Sequence, residues 1–155
     1  MGRKMLKTSY IVTIERNQKA QINIYCRKQT GEELGSLFAT YYLKCNRVET
    51  AYENSVHLEH IYVEKKYRKK GLGKQMMVAL LEELKRIEST EYASFRFLFG
   101  EVGKSGKDNP KSSLPFYASL DGIGYGMQKH LSYRLCKGAA MDGLDQFYYY
   151  IVDAN

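Results

Sequence analysis

The stretch from Val56 to Arg86 limits what this chain can fold into more than any other part of it. It reads VHLEHIYV, then EKKYRKKGLGKQ, then MMVALLEELKR. Val56, Leu58, Ile61 and Val63 are apolar, with polar His57 and Glu59 among them, which predicts a short strand. Leu72, Met76, Leu80, Leu81, Leu84 and Ile87 recur at helical spacing and predict an amphipathic helix with one buried stripe. Between the two, Lys65, Lys66, Arg68, Lys69, Lys70 and Lys74 surround Gly71 and Gly73. A basic turn that opens a helix suits phosphate. The first peptide N–H groups of a helix have no intrahelical partner, and the helix dipole adds to the attraction. The same letters also fit tight backbone packing beneath a solvated lysine face. Two sharper phosphate motifs fail. The dinucleotide fingerprint needs a small residue where Met76 stands, and Leu98 holds the place of the first glycine of a phosphate loop ending Gly103-Lys104-Ser105.

The rest of the chain falls into short alternating segments. Ser9–Glu15 and Ala20–Lys28 predict two strands joined by the polar turn Arg16–Lys19. Gln29–Gly35 reads as a turn, Ser36–Lys44 as a third strand and Asn46–Ser55 as a loop before the strand described above. After the long helix, Tyr92–Phe99 alternates as a fifth strand and Gly100–Ser113, with its glycines and Pro110, reads as a loop. Leu114–Leu120 predicts a short helix, and strands follow near Lys129–Leu135 and Gln146–Val152.

Arg68-Lys69-Lys70-Gly71-Leu72-Gly73 resembles the Q/R-x-x-G-x-G/A signature of the GNAT superfamily of N-acetyltransferases. It stands where that family carries it, after a strand and before an amphipathic helix. Ser113-Leu114-Pro115-Phe116-Tyr117, followed by Gly122–Tyr125, is similar to the family's second landmark, a helix ending in FYxxxGF. The two lie in the family's order and span most of residues 56–125. The implied fold is α/β (α+β): a mixed, mostly antiparallel sheet with a central helix after the fourth strand. One departure is at the front. Family members place one or two helices between their first and second strands, and only a short turn is available here. Those helices commonly build one wall of the acceptor site, so the resemblance names no acceptor.

What the resemblance implies for chemistry is specific. The fourth and fifth strands splay, and the pantetheine arm of acetyl-CoA inserts between them. Backbone groups of Ile61, Tyr62 and Val63 would meet that arm, and the amides of Arg68, Lys69, Lys70, Gly71, Leu72, Gly73 and Lys74 would wrap the pyrophosphate. Asn109, Ser113 and Phe116 fall near further coenzyme contacts. Tyr117 matches the tyrosine that protonates the departing sulfur. Bases on the fourth strand fall at His57 and Glu59; His57-Leu58-Glu59 is similar to the His-x-His of the arylalkylamine branch. Glu59 is the favoured base, with His57 as co-base or second candidate. Strict alternation puts His57, Glu59 and Ile61 on one face, Leu58 and His60 on the other, with His60 structural.

Size and charge set the remaining bounds. The 155 residues fit one domain spanning 1–155, large enough for a core without staples. No apolar run approaches the roughly 20 residues that span a bilayer. Cys26, Cys45 and Cys136 are odd in number and widely spaced, and the histidines lack zinc spacing. Reduced thiols in a cytoplasmic protein without a metal are expected. The net charge of +7 favours anionic ligands without naming one. The expected activity is acetyl-CoA-dependent N-acetylation of a protein amine, a small amine or an aminoacyl-tRNA, with oligomeric state open and a dimer allowed. Two other classes compete: a catalytically silent acyl-CoA-binding module, and a basic nucleic-acid-binding domain. The last lacks a recognition-helix signature, since the basic turn leads into a helix carrying Glu82 and Glu83.

Overall fold

A computed structural model describes residues 10–43, 54–91, 94–101, 113–124, 131–138 and 146–153. Seven strands form one sheet: β1 (Tyr10–Glu15), β2 (Gln21–Lys28), β3 (Glu33–Tyr42), β4 (Ser55–Val63), β5 (Phe97–Glu101), β6 (Tyr133–Lys137) and β7 (Gln146–Asp153). Their spatial order is β1-β2-β3-β4-β5-β7-β6, and every pair is antiparallel except β4 with β5. The helix α1 (Leu72–Glu91) follows β4, and the short α2 (Ser113–Ala118) follows β5. This is the expected mixed sheet with its central helix. β1 and β2 form a direct hairpin, with Ala20 at φ 68° closing the turn, so no helix separates them.

Helix α1 forms because Leu, Met, Gln, Glu and Lys dominate it and no proline interrupts it. Its buried side chains are Leu72, Met76, Leu80, Leu81, Leu84 and Ile87, the stripe expected from spacing, together with Met77. They pack on Ile22, Ile24 and Cys26 of β2, Leu37 and Ala39 of β3, Val56 and Leu58 of β4 and Leu98 of β5, in one hydrophobic cluster. Each leucine, isoleucine, valine or methionine among them contributes about 1.5–3 kcal/mol on burial. Glu83 is also buried, and both Arg16 of the hairpin turn and Arg86 donate to its carboxylate, at 2.8 Å and at 2.9 and 2.5 Å. These bonds hold the turn after β1 against the helix.

The segment boundaries differ from expectation in several places; β6, expected near Lys129–Leu135, runs Tyr133–Lys137, and the short helix expected over Leu114–Leu120 runs Ser113–Ala118. β3 begins at Glu33, because Lys28 N–H donates to Glu32 O and Gly31, at φ 101°, completes a tighter turn. β5 begins at Phe97 rather than Tyr92: Phe95 turns into the core against Tyr41. Tyr92 itself lies outside the described residues, as do Cys45, Asn109 and His130. No helix among the described residues is long and apolar enough to cross a membrane.

Candidate functional site

The chain leaves β4 through a single 3-10 turn at Lys65–Tyr67, and Lys69 and Gly71 then take left-handed conformations at φ 63° and 85°. Arg68 fixes this path. Its Nε donates to Val63 O at 2.8 Å, and its guanidinium lies 5.4 Å from the centre of the Tyr62 ring. The first bond of α1 runs from Gln75 N–H to Gly71 O, so the amides of Leu72, Gly73 and Lys74 come before intrahelical bonding begins. Gly71 offers no capping side chain, and the first turn holds no acidic residue. The ammonium groups of Lys28, Lys66 and Lys70 all lie within 5.6 Å of the Tyr67 ring centre, adding to the positive field beside the helix start.

The two glycines of the signature serve different ends. Gly71 needs its positive φ, and the space where a Cβ would project is open. At Gly73 a Cβ would come within 2.8 Å of Phe116 Cε1, so this glycine lets α2 seat against the start of α1. At Gly73 a side chain thus fills the space above the backbone, whereas at Gly71 that space is open. Lys69, Lys70 and Lys74 are exposed, while Leu72 belongs to the core.

β4 and β5 part company midway. Their parallel pairing covers Ser55–His57 against Phe97–Phe99 and then stops. Gly100 is the last close point, since a Cβ there would meet Leu58 O at 2.7 Å and the Phe147 ring at 2.5 Å. From Glu59 to Val63, the β5-facing edge of β4 pairs with no strand among the described residues.

A β-bulge reshapes the other edge. Phe38 pairs with His60 and Ala39 with Leu58, which leaves Glu59 as an extra residue. Strict alternation is thereby overturned. Ile61 and Val63 turn to the helix-covered face with Leu58, whereas His57, Glu59, His60 and Tyr62 lie on the open one. The His57 ring stacks on Phe99 of β5, with centroids 4.8 Å apart and planes within 1°. Glu59 reaches the opposite way, over β3, where Thr40 Oγ1 donates to its Oε1 at 2.5 Å. The structure thus sends the two candidate bases to opposite sides of β4. His60 lies 3.0 Å from Ser36 Oγ and stacks on Phe38. That packing desolvates its imidazole and pushes its pKa below the ordinary histidine value, although much of the residue stays exposed.

Tyr117 stands on the covered face, behind the gap. Its ring stacks on Phe147 at 4.5 Å, Phe147 covers Gly100, and Gly100 faces the Leu58 carbonyl. Tyr149 Oη donates to Tyr117 O, which anchors the end of α2 on β7. Burial raises the pKa of the Tyr117 phenol, and that of Tyr149 is pushed up to about 12 by burial and the charge of Asp121, despite opposing backbone hydrogen bonds. Phe116 sits beside Tyr117 against Gly73. Ser113 opens α2. Residues that sequence reading passed over are Thr40 and Phe99, which orient Glu59 and His57, and Gln21, Asn23, Tyr25 and Phe38, which line a hollow of about 350 Å³ beside Glu59. Alternation along β2 and β3 was the available signal for the last four.

Comparison with known proteins agrees with this fold. The family described as "Acetyltransferase (GNAT) domain" matches residues 20–121. A structure described as an acyl-CoA N-acyltransferase from Klebsiella pneumoniae is 13% identical, with 91% of this chain and 95% of that one covered at a TM-score of 0.54. An acetyltransferase of the GNAT family from Staphylococcus aureus is 14% identical, covering 88% of this chain and 69% of its own at a TM-score of 0.51. At these identities the likeness is one of fold. No curated protein matches the sequence. With the family match running from the start of β2 through the basic glycine turn to the Phe116-Tyr117 helix, this chain belongs to the GNAT family of acetyltransferases.

Proposed function

We propose that this protein is an acetyl-CoA-dependent N-acetyltransferase acting on a primary amine by direct attack. The observation that carries the reading is the gap between β4 and β5. On the open face His57 stands beside the gap on Phe99 and Glu59 stands across β4 from it, over β3; on the covered face, one ring behind Gly100, stands the Tyr117 phenol. In this reading a group that takes a proton acts from the open face and a group that gives one from the covered face, with the slot between the two faces.

The residues fit coenzyme A. A helix start without acidic residues, a left-handed Gly71 with free space above it and a cluster of lysines suit a pyrophosphate and a further phosphate. An unpaired strand edge suits an extended arm carrying amide groups. When bound, acetyl-CoA supplies an activated acyl thioester. The amides of Leu72, Gly73 and Lys74, with the ammonium groups of Lys69, Lys70 and Lys74, hold the phosphates. Arg68 keeps the turn in shape through Val63 O and Tyr62. Backbone groups of Ile61, Tyr62 and Val63 bond the arm.

Glu59 takes a proton from the incoming ammonium, directly or through water, while Thr40 steadies its carboxylate; His57 is the second candidate. Tyr117 Oη gives its proton to the departing sulfur. Tyrosine is protonated at neutral pH at its ordinary pKa and burial shifts this one further up, so the proton is present when needed.

The test is to incubate the protein with acetyl-CoA and a set of primary amines, following thiol release and the mass of each amine. Thiol release coupled to an acetylated product is expected. Coenzyme binding without thiol release from any amine would make the chain a silent binding module. Comparing Glu59→Gln with His57→Gln then separates the bases, since only loss of the true base removes the acidic limb of the pH–rate profile.

A further inference from the structure

We propose that a second copy of this chain pairs along the outer edge of β1, antiparallel, about a two-fold axis at Val12. The two outer edges of the sheet are finished differently. The β6 edge is occupied. Leu135 N–H donates to Ile123 O at 2.8 Å, Gly122 N–H donates to Leu135 O at 2.7 Å, and Lys137 N–H donates to the Asp121 carboxylate. β6 also carries Arg134 and Lys137, charges of the kind that keep foreign strands away. The outer edge of β1 pairs with no backbone among the described residues. It holds no lysine, proline, glycine or bulge, and its one charge is Glu15 at the end. Ile11 and Ile14 are 48% and 38% exposed. Such an edge is a template for another strand.

The ladder determines which backbone groups are on offer. Tyr41 N–H donates to Ala20 O, so even-numbered residues of β2 bond to β3 and odd-numbered ones to β1. Through the hairpin register, Ile11, Thr13 and Glu15 spend their backbone groups on Arg27, Tyr25 and Asn23. Tyr10, Val12 and Ile14 turn theirs outward. With Val12 opposite its own counterpart, Tyr10 of each copy lies opposite Ile14 of the other, and every outward N–H and C=O of these residues finds a partner. The side chains agree with that register. On the covered face Tyr10 meets Ile14 and Val12 meets Val12; on the open face Ile11 meets Thr13. A slip of two residues would set Ile11 against the Glu15 carboxylate or carry Ile14 beyond Tyr10. Despite the net charge of +7, the surroundings are neutral: Arg27 meets Glu15 at 3.5 Å and Glu33 at 4.0 Å, and Lys28 meets Glu32 at 3.4 Å. Helix α1 packs on β2 and the strands beyond it. The two β2 strands would lie about 14 Å apart, three strand spacings. Packed helices need only about 8–10 Å, so the two α1 helices clear each other. The result is one continuous sheet with both open faces on the same side. This inference is independent of the chemistry proposed for the gap.

The experiment is sedimentation equilibrium of the full chain from about 1 μM to about 1 mM, the range in which a small interface forms. The mass is expected to reach that of two chains. Val12→Pro removes the outward N–H at the axis and spares the β1–β2 bonds, since an edge strand tolerates proline there. Ile11→Lys brings two ammonium groups close together across the axis. Each should weaken the dimer by about tenfold or more, with the unfolding midpoint of the dilute protein unchanged. Where Val12→Pro folds poorly, Ile11→Lys alters only an exposed side chain and still tests the edge. A chain that stays monomeric throughout, or a dimer that neither variant weakens, would overturn the proposal.

Discussion

The two faces of the sheet obey different rules. On the covered face, Ile22, Leu37, Val56, Leu58 and Leu98 meet α1, and nearly every side chain there is buried and apolar. On the open face, aromatic and polar side chains alternate: Tyr25 beside Phe38, Phe38 beside His60, His57 on Phe99, Phe97 among Tyr148 and Tyr150. Packing explains the first face completely. It does not explain the second, where rings stay half-exposed and Glu59 has only a threonine hydroxyl as partner among the described residues. The covered face holds the fold and the open face is free to hold something else. The gap between β4 and β5 is where the two communicate.

That contrast predicts a split between stability and turnover, and Tyr117 is its hardest test because it lies on the covered face yet is assigned a chemical role. Tyr117→Phe keeps the ring on Phe147 and removes only the hydroxyl. Turnover should fall by about 10²–10⁴-fold, the scale of lost acid catalysis, with coenzyme affinity and unfolding midpoint little changed. Steady-state kinetics beside calorimetry checks this; unaltered turnover would return Tyr117 to a packing role. Leu84→Ala, one layer away, should behave in the opposite way. Truncating a fully buried leucine costs about 2–5 kcal/mol of stability, read by urea unfolding, and the folded fraction should keep its turnover number.

Glu83 extends the comparison to charge, since it is a buried carboxylate on the covered face. Arg86 holds its pKa below the ordinary carboxylate value through hydrogen bonds, against the opposing effect of burial, and Arg16 adds to the depression. A depressed carboxylate contributes stability that is fully present above its unfolded value, about 4.3. The contribution is lost as pH falls through the lower folded value. Unfolding midpoints should therefore hold steady from neutral pH down to about 5 and drop below that. In Glu83→Gln the drop should be shallower, from a lower starting stability because Arg16 loses its buried partner. An equally steep acid limb in that variant would assign the pH dependence to other carboxylates.

The same division governs what could be read from sequence. The stripe Leu72, Met76, Leu80, Leu81, Leu84 and Ile87 was legible because helical spacing and burial are one fact seen twice. The basic glycine turn was legible because a left-handed Gly71 before a helix leaves few alternatives. The orientation of Ile61 was not, because a bulge is one extra residue opposite a partner strand, and its place depends on how β3 and β4 register. Single-strand alternation contains no such information, so it grouped Ile61 with His57 and Glu59, and His60 with Leu58. The hollow was hidden for a related reason. Gln21, Asn23, Tyr25, Phe38 and Glu59 come from three strands and become neighbours only through that register. The role of Gly73 also needed tertiary contact, since Phe116 approaches it from 43 residues away in the chain (116 − 73).

The bulge yields the smallest expected effect and the finest discrimination. Thr40 Oγ1 donates to Glu59, so Thr40→Val removes the hydroxyl while keeping the shape of the strand face. An exposed hydrogen bond of this kind contributes about 0.5–1.5 kcal/mol. If Glu59 is the base, kcat/KM should fall by about tenfold or less, with coenzyme affinity and the unfolding midpoint unchanged. If His57 is the base, Thr40→Val should leave kcat/KM alone, because His57 is oriented from the other side by Phe99. Phe99→Leu should then be the variant that lowers it. Measuring the pair assigns the proton acceptor by its support rather than by removing it, which avoids the ambiguity of placing a new side chain at the reacting centre.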